Sequence, residues 1–223
     1  MTDLPTPFKA IEGGVTAPKG FRASGVRAGI KPTSKKKDCA LIVSDAPATV
    51  AGTFTRNLMK APCVHWNIAR CKTGNARAVF INSGNANAAT GERGAKDVET
   101  TAAQVAELLG STAHEVCICS TGVIGVTLPM DRILEGVAGC AKALAPSGGA
   151  DAAVAIMTTD TVPKEMAIEV PVSGGVIRLG AIAKGSGMIA PNMATMISII
   201  TTDAAIEPGA LSGLLHMAVN VSF

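Results

Sequence analysis

KGSGMIAPNMATM, residues 184–196, runs without a break into ISIITT, residues 197–202. Gly185 and Gly187 permit backbone angles closed to other residues, while Pro191 fixes its own φ and pushes Ala190 toward an extended conformation. The segment is therefore a shaped loop. The β-branched, apolar run 196–202 has the length and composition of a buried strand. Thr195 thus stands at a loop-to-strand junction, held against a rigid edge.

Working outward, MAIEVPV (166–172) and GVIRLGAIAK (175–184) form a hairpin through Gly174-Gly175 that delivers Lys184 to the start of the loop. Beyond the strand, 208–219 reads as helix. Upstream, CALIVSD (39–45) and TVAGTF (49–54) read as two short strands joined by a hairpin-like Ala46-Pro47-Ala48. ARAVFINSGNANAATG (76–91) runs a buried strand into a loop where Asn82, Asn85 and Asn87 invite local turns. Val98, Ala102, Val105, Ala106 and Leu109 recur at helical spacing within 95–109, with Gly110 just past the end. EVCICS (115–120) is a strand leading into Thr121-Gly122-Val123-Ile124-Gly125. Helices follow at 131–145, stopped by Pro146, and at 151–157. The opening GGVTAPKGFRASGVRAGIK (13–31) reads as turns and short strands. No internal repeat is visible, and this order of elements implies an α+β chain of mixed layers.

Composition narrows the function classes. The 223 residues are 48% apolar with mean hydropathy +0.35, enough to bury a core. Only 3% are aromatic and none is tyrosine, which leaves little capacity for stacking on bases, so nucleic acid is a poor partner. The net charge of +3 is uneven: residues 1–37 hold eight Lys or Arg against two acids. Lys35-Lys36-Lys37 reads as a solvated loop and is given no catalytic role. Residues 1–20 contain no apolar signal-peptide core and no long uncharged apolar window follows, so neither export nor a membrane span is expected, and the cytoplasm is the expected location. The six cysteines (39, 63, 71, 117, 119 and 140) form no CxxC, and His65, His114 and His216 lack metal-ligand spacing. No metal is expected.

Thr195 carries the chemical question. A threonine hydroxyl is a weak nucleophile that needs a base, and the α-amine of a chain beginning at that threonine can serve, with a pKa of roughly 7.7–8. That requires the Ala194–Thr195 bond to be cut. On residue types alone, an ordinary threonine in a glycine-rich loop is the better explanation of the stretch.

KGSGMIAPNMATM nevertheless resembles the self-cleavage and nucleophile motif of the ornithine acetyltransferase (glutamate N-acetyltransferase) family. GGVTAPKGFRASGVRAGIK, NSGNANAATG, STGVIGVTLPMD and TTDT (158–161) resemble further family blocks in the same order. The resemblance implies an αββα sandwich in the manner of amino-terminal nucleophile enzymes, with different connectivity. It implies Thr195 as nucleophile after cleavage between Ala194 and Thr195, with the Thr121 hydroxyl and Gly122 N–H as oxyanion hole. Thr158, with Thr159 as the alternative register, and Lys184 become substrate contacts together with Thr195. Residues 1–194 then correspond to a first subunit and 195–223 to the opening piece of a second, since the family continues well past Phe223.

The implied reaction is ping-pong acetyl transfer from N2-acetylornithine to glutamate, giving ornithine and N-acetylglutamate. No cofactor is implied, acetyl-CoA is a candidate co-substrate, and the implied assembly is a heterotetramer of two α and two β subunits. Two competing readings stand beside it: an aminopeptidase- or amidase-like hydrolase of the same architecture, and a non-catalytic anion-binding fragment.

Overall fold

The computed structural model describes residues 8–186 and 195–222. In chain order these form β1 (Lys9–Ile11), a 3-10 turn (Gly14–Thr16), β2 (Phe21–Val26), β3 (Cys39–Thr49), α1 (Pro62–Thr73), β4 (Asn75–Asn85) and α2 (Gly91–Leu109). After a second 3-10 turn come β5 (Val116–Val123), α3 (Met130–Lys142), α4 (Gly149–Ala155), β6 (Lys164–Val172), β7 (Gly175–Lys184), β8 (Ile197–Thr202) and α5 (Pro208–Ser222).

The strands make two four-stranded sheets, ordered β2-β3-β4-β5 and β1-β6-β7-β8. All pairings are antiparallel except β4 with β5, which are parallel because α2 carries the chain back over the sheet. The first sheet is buried on both faces. Leu41, Val43, Ala78, Phe80, Val116 and Ile118 pack under Val98, Ala102 and Val105 of α2 and Ile133 and Val137 of α3. The alternate residues Ala40, Ile42 and Ile81 face Ile182 and Ile199 of the second sheet, with α4 and Val15 in the same cluster. Burial on both faces is why ALIV (40–43) and AVFI (78–81) are continuous apolar runs rather than alternating ones. Three layers of the expected αββα sandwich are thus made by the described residues: helices, sheet, sheet.

Several elements differ from the sequence reading. TVAGTF is not a second strand: β3 continues to Thr49, and its pairing with β4 breaks between Val43 and Ala48. Pro47 lies in that unpaired interval, where its missing N–H costs no ladder bond. Helix α2 begins at Gly91 rather than residue 95, and within its first turn Gly94 packs so tightly on the preceding loop that a Cβ would lie 2.0 Å from Thr90 Oγ1 and 2.5 Å from Asn87 Oδ1. Helix α3 stops at Lys142, before residue 145, since Ala145 leaves to exchange two 3.0 Å backbone bonds with Ala23. Helix α1 has no counterpart among the elements expected from sequence. Its ends carry ordinary signals, Pro62 at the first turn and Gly74 in a left-handed C-cap with φ 77°, but its apolar periodicity is weak.

Candidate active site

The site begins where β4 and β5 end side by side. Their parallel register puts Ser83 opposite Thr121 and Gly84 opposite Gly122. Gly122 has φ 137°, and a Cβ there would lie 2.3 Å from the Gly84 carbonyl carbon, so two bare backbones meet at this point and only glycine fits. The expected oxyanion pair therefore sits at the tip of an edge strand. That edge is fixed by α1: the Asn67 amide donates to Ile118 O (2.8 Å) and accepts from Ile118 N (2.9 Å), while Trp66 Nε1 donates to Val116 O (2.8 Å). One buried asparagine satisfies both backbone groups of Ile118, as a neighbouring strand would.

The NSGNANAATG string frames the same tip. Asn82 Oδ1 accepts from Ser120 Oγ at 2.7 Å and its Nδ2 donates to Asn85 O at 2.8 Å. Asn85 Nδ2 donates to Val126 O and Thr127 O, each at 3.0 Å, and its Oδ1 accepts from Asn87 N at 2.8 Å. Beyond the local turns expected of them, these asparagines hold the loop that follows Thr121-Gly122.

The opposite wall comes from the second sheet. Lys184, at the end of β7, is buried at 4% exposure, and its Nζ donates to Thr121 Oγ1 at 3.0 Å and to Thr195 O at 3.1 Å. Thr195 is exposed just before β8 and has φ 67°. That left-handed backbone is an outlier for a β-branched residue. Burial lowers the Lys184 pKa from the usual lysine range, the Asp160 carboxylate opposes this, and Lys164 adds to it.

Asp160 joins the remaining pieces. Its side chain is fully buried and accepts from Lys164 Nζ (2.5 Å), Gly185 N (2.8 Å) and Thr158 N (3.2 Å). Burial pushes its carboxyl up, but the Lys164 ammonium and the two backbone N–H groups outweigh it and hold the pKa at about 2. One carboxylate thus ties the backbone of Thr158 to that of Gly185, next to Lys184. Thr159 Oγ1 lies 3.3 Å from Ser186 Oγ. Lys31 closes this side: its Nζ donates to Met157 O at 2.8 Å, and its side chain crosses Gly84, where a Cβ would meet Cγ at 2.8 Å.

Thr121, Gly122, Thr158, Thr159, Lys184 and Thr195 all line one open cleft between the sheets. Ala194, the other side of the expected cleavage bond, and Gly187 lie outside the described residues. Asp160, Lys31 and Asn67 received no role from sequence. Asp160 stood inside the TTDT run, an acid one short turn before a strand, which is the only signal that marked it. Among the described residues, no three His, Cys, Asp or Glu side chains converge where a metal ion would sit, and no helix is long and apolar enough to cross a membrane.

Relatives share this framework. The arginine biosynthesis bifunctional protein ArgJ of Symbiobacterium thermophilum is 51% identical over 214 residues, covering 96% of this chain and 53% of the relative. The chain spans about half the length of the curated relatives it matches. Among solved structures, an ornithine acetyltransferase from Mycobacterium tuberculosis complexed with ornithine superimposes with TM-score 0.77 at 45% identity, over 84% of this chain and 100% of that one. The Bacillus halodurans arginine biosynthesis bifunctional protein gives TM-score 0.77 at 40% identity, over 84% and 98%. A profile of the ArgJ family matches residues 22–223, and the chain belongs to that family.

Proposed function

We propose that the full-length protein transfers an acetyl group from N2-acetylornithine to glutamate, by ping-pong through an ester on Thr195, after cutting itself between Ala194 and Thr195. The observation that carries this reading is the single Lys184 ammonium within hydrogen-bond reach of both the Thr121 hydroxyl and the Thr195 carbonyl. It brings a hydroxyl suited to an oxyanion against the residue suited to attack.

The cycle balances in four steps. Thr195 Oγ attacks the Ala194 carbonyl, the C–N bond breaks as the nitrogen takes the hydroxyl proton, and an ester forms. Water then cleaves that ester, leaving a carboxylate at Ala194 and a free amine and hydroxyl on Thr195. In the mature enzyme the amine accepts the hydroxyl proton while Oγ attacks the acetyl carbonyl of acetylornithine, and ornithine leaves with that proton. The glutamate amine finally attacks the acetyl ester, returning Thr195. Each attack puts negative charge on a carbonyl oxygen, which the Thr121 O–H and Gly122 N–H would receive. A left-handed backbone at a β-branched residue costs on the order of 1–3 kcal/mol. Cutting the Ala194–Thr195 bond removes the very dihedral that carries this strain.

In this reading residues 1–194 form one subunit and Thr195 begins the next, and two of each assemble. Thr158 and Lys184 contact substrate, acetyl-CoA is an alternative acetyl donor, no cofactor or metal takes part, and the enzyme works in the cytoplasm. Intact mass and fragment sequencing of the full-length protein test the cleavage: a new amino terminus at Thr195 is expected, and an uncut active polypeptide overturns it. Acetylornithine assayed with and without glutamate tests the chemistry. Acetate release that does not need glutamate would instead make the protein a hydrolase.

A further inference from the structure

We propose that Lys184 is a positioning residue that locks the Thr195 backbone to the Thr121 side chain and turns the Thr121 hydroxyl hydrogen toward the reacting carbonyl. This role goes beyond binding a substrate carboxylate, and it rests on the reading of Thr195 as nucleophile.

The argument starts from what each group can donate and accept. An ammonium carries three N–H donors and no acceptor, whereas a threonine hydroxyl has one donor and two acceptor lone pairs. When Lys184 Nζ donates to Thr121 Oγ1 at 3.0 Å, it occupies an acceptor position and sets a positive charge beside the oxygen. The hydroxyl hydrogen must then point away from the ammonium. Thr121 is buried at 8% exposure, and among the described residues no acceptor takes that hydrogen, so it is left for a group in the cleft. A hydroxyl whose oxygen already accepts from a cation is also the stronger donor, because hydrogen bonds in a chain polarise one another. Thr121 therefore meets the oxyanion with its hydrogen already aimed.

The second donation, to Thr195 O at 3.1 Å, fixes the backbone of the nucleophile itself. The two residues come from different sheets, Thr121 on β5 and Thr195 beside β8, and β5 does not pair with β8. Lys184 bridges them. Its own place is fixed in turn, since Asp160 grips Gly185 N at 2.8 Å and supplies the nearby negative charge that keeps a buried ammonium tolerable. A lysine whose one task was to greet an incoming carboxylate would present its ammonium to solvent, whereas this one is 4% exposed with two N–H groups engaged inside the protein.

Self-cleavage separates the two roles, because it involves no substrate. The full-length protein is made as wild type, Lys184→Met and Thr195→Ala, and the appearance of the Thr195 amino terminus is followed by mass. Mature protein is assayed with acetylornithine and glutamate, with folding checked by circular dichroism. The positioning role predicts that Lys184→Met slows self-cleavage at least tenfold. It also predicts kcat reduced about 10- to 100-fold with KM for acetylornithine within threefold, Lys184→Arg recovering part of both rates. In a Thr121→Ala background, Lys184→Met should lower kcat by a smaller factor than it does alone, because one of the two bonds through which it acts is already gone and only the hold on Thr195 O is left to lose.

Wild-type self-cleavage in Lys184→Met, with KM raised tenfold or more and kcat unchanged, overturns the proposal and leaves carboxylate binding. Should Lys184→Met not fold, Lys184→Gln keeps a donor without the charge and is read by the same two rates. The Thr195→Ala control keeps the failures distinct. If that variant still cuts or transfers acetyl, the nucleophile reading itself is wrong; if it is inert while Lys184→Met cleaves normally, only the present inference is lost.

Discussion

Asp160→Asn is the substitution whose cost can be worked most fully from the geometry. The native carboxylate accepts from Lys164, Gly185 and Thr158, and the asparagine amide offers one oxygen in place of two while leaving the Lys164 ammonium without a counter-charge. The carboxyl is held at about 2, against roughly 3.9 in an unfolded chain. At about 1.36 kcal/mol per pKa unit this corresponds to roughly 2.5 kcal/mol, trimmed to about 2 because the Lys164 side chain is partly in water. The folded-state value lies below the unfolded one, so this contribution is full above about pH 4 and fades as the pH falls toward 2. Urea unfolding of wild type and Asp160→Asn at several pH values measures it. The expected gap is about 2 kcal/mol at pH 7 and under about 1 kcal/mol at pH 2.5. Equal stabilities at pH 7, or a gap that stays constant down to pH 2.5, would refute the reasoning.

Substitutions at three further positions probe the strand tip and its support. Thr121→Ala should lower turnover by about 10²–10³, or roughly 2.7–4 kcal/mol of barrier, with circular dichroism unchanged; steady-state kinetics that match wild type would reject Thr121 as an oxyanion donor. Gly122→Ala should cost on the order of 3 kcal/mol or prevent folding, because its Cβ would fall 2.3 Å from Gly84 C at a φ of 137°; thermal unfolding reads this, and a fully stable variant would mean the two backbones can part. Asn67→Ala strips the Ile118 N–H and C=O of their partner within the edge strand and should destabilise by about 2–4 kcal/mol, measured by urea unfolding. Asn67→Asp, which keeps an acceptor but loses the donor, should fail almost as badly.

What the sequence made legible was what short-range rules govern. The hairpin through Gly174-Gly175 and the strand after Thr195 follow from composition and turn residues, and the structure has β6, β7 and β8 close to where they are read. The buried face of α2 follows from its periodicity. The errors fall where a distant partner decides. Ala145 leaves its helix for Ala23, and Pro47 sits inside a strand because the ladder is already broken there. Helix α1 escaped because it turns Asn67 and Trp66 toward backbone groups of β5 rather than an apolar stripe toward a sheet. The site shows the same division. Thr121, Lys184 and Thr195 were named from motif blocks, yet nothing local says that an acid in TTDT would reach forward to Gly185, or that Lys31 would grip the carbonyl of Met157.

The two threonines ride on separate sheets, and what aligns them is the seam of small and branched side chains between those sheets: Ala40, Ile42 and Ile81 on one side, Ile182 and Ile199 on the other. In the proposed reading, catalytic competence becomes a gauge of how well that seam is seated. A slip of about 1 Å at a reacting pair can cost on the order of 100-fold in rate, far less movement than melting requires. Trimming one methyl group by Ile182→Val should therefore lower turnover of the full-length protein while circular dichroism still reads the fold as intact.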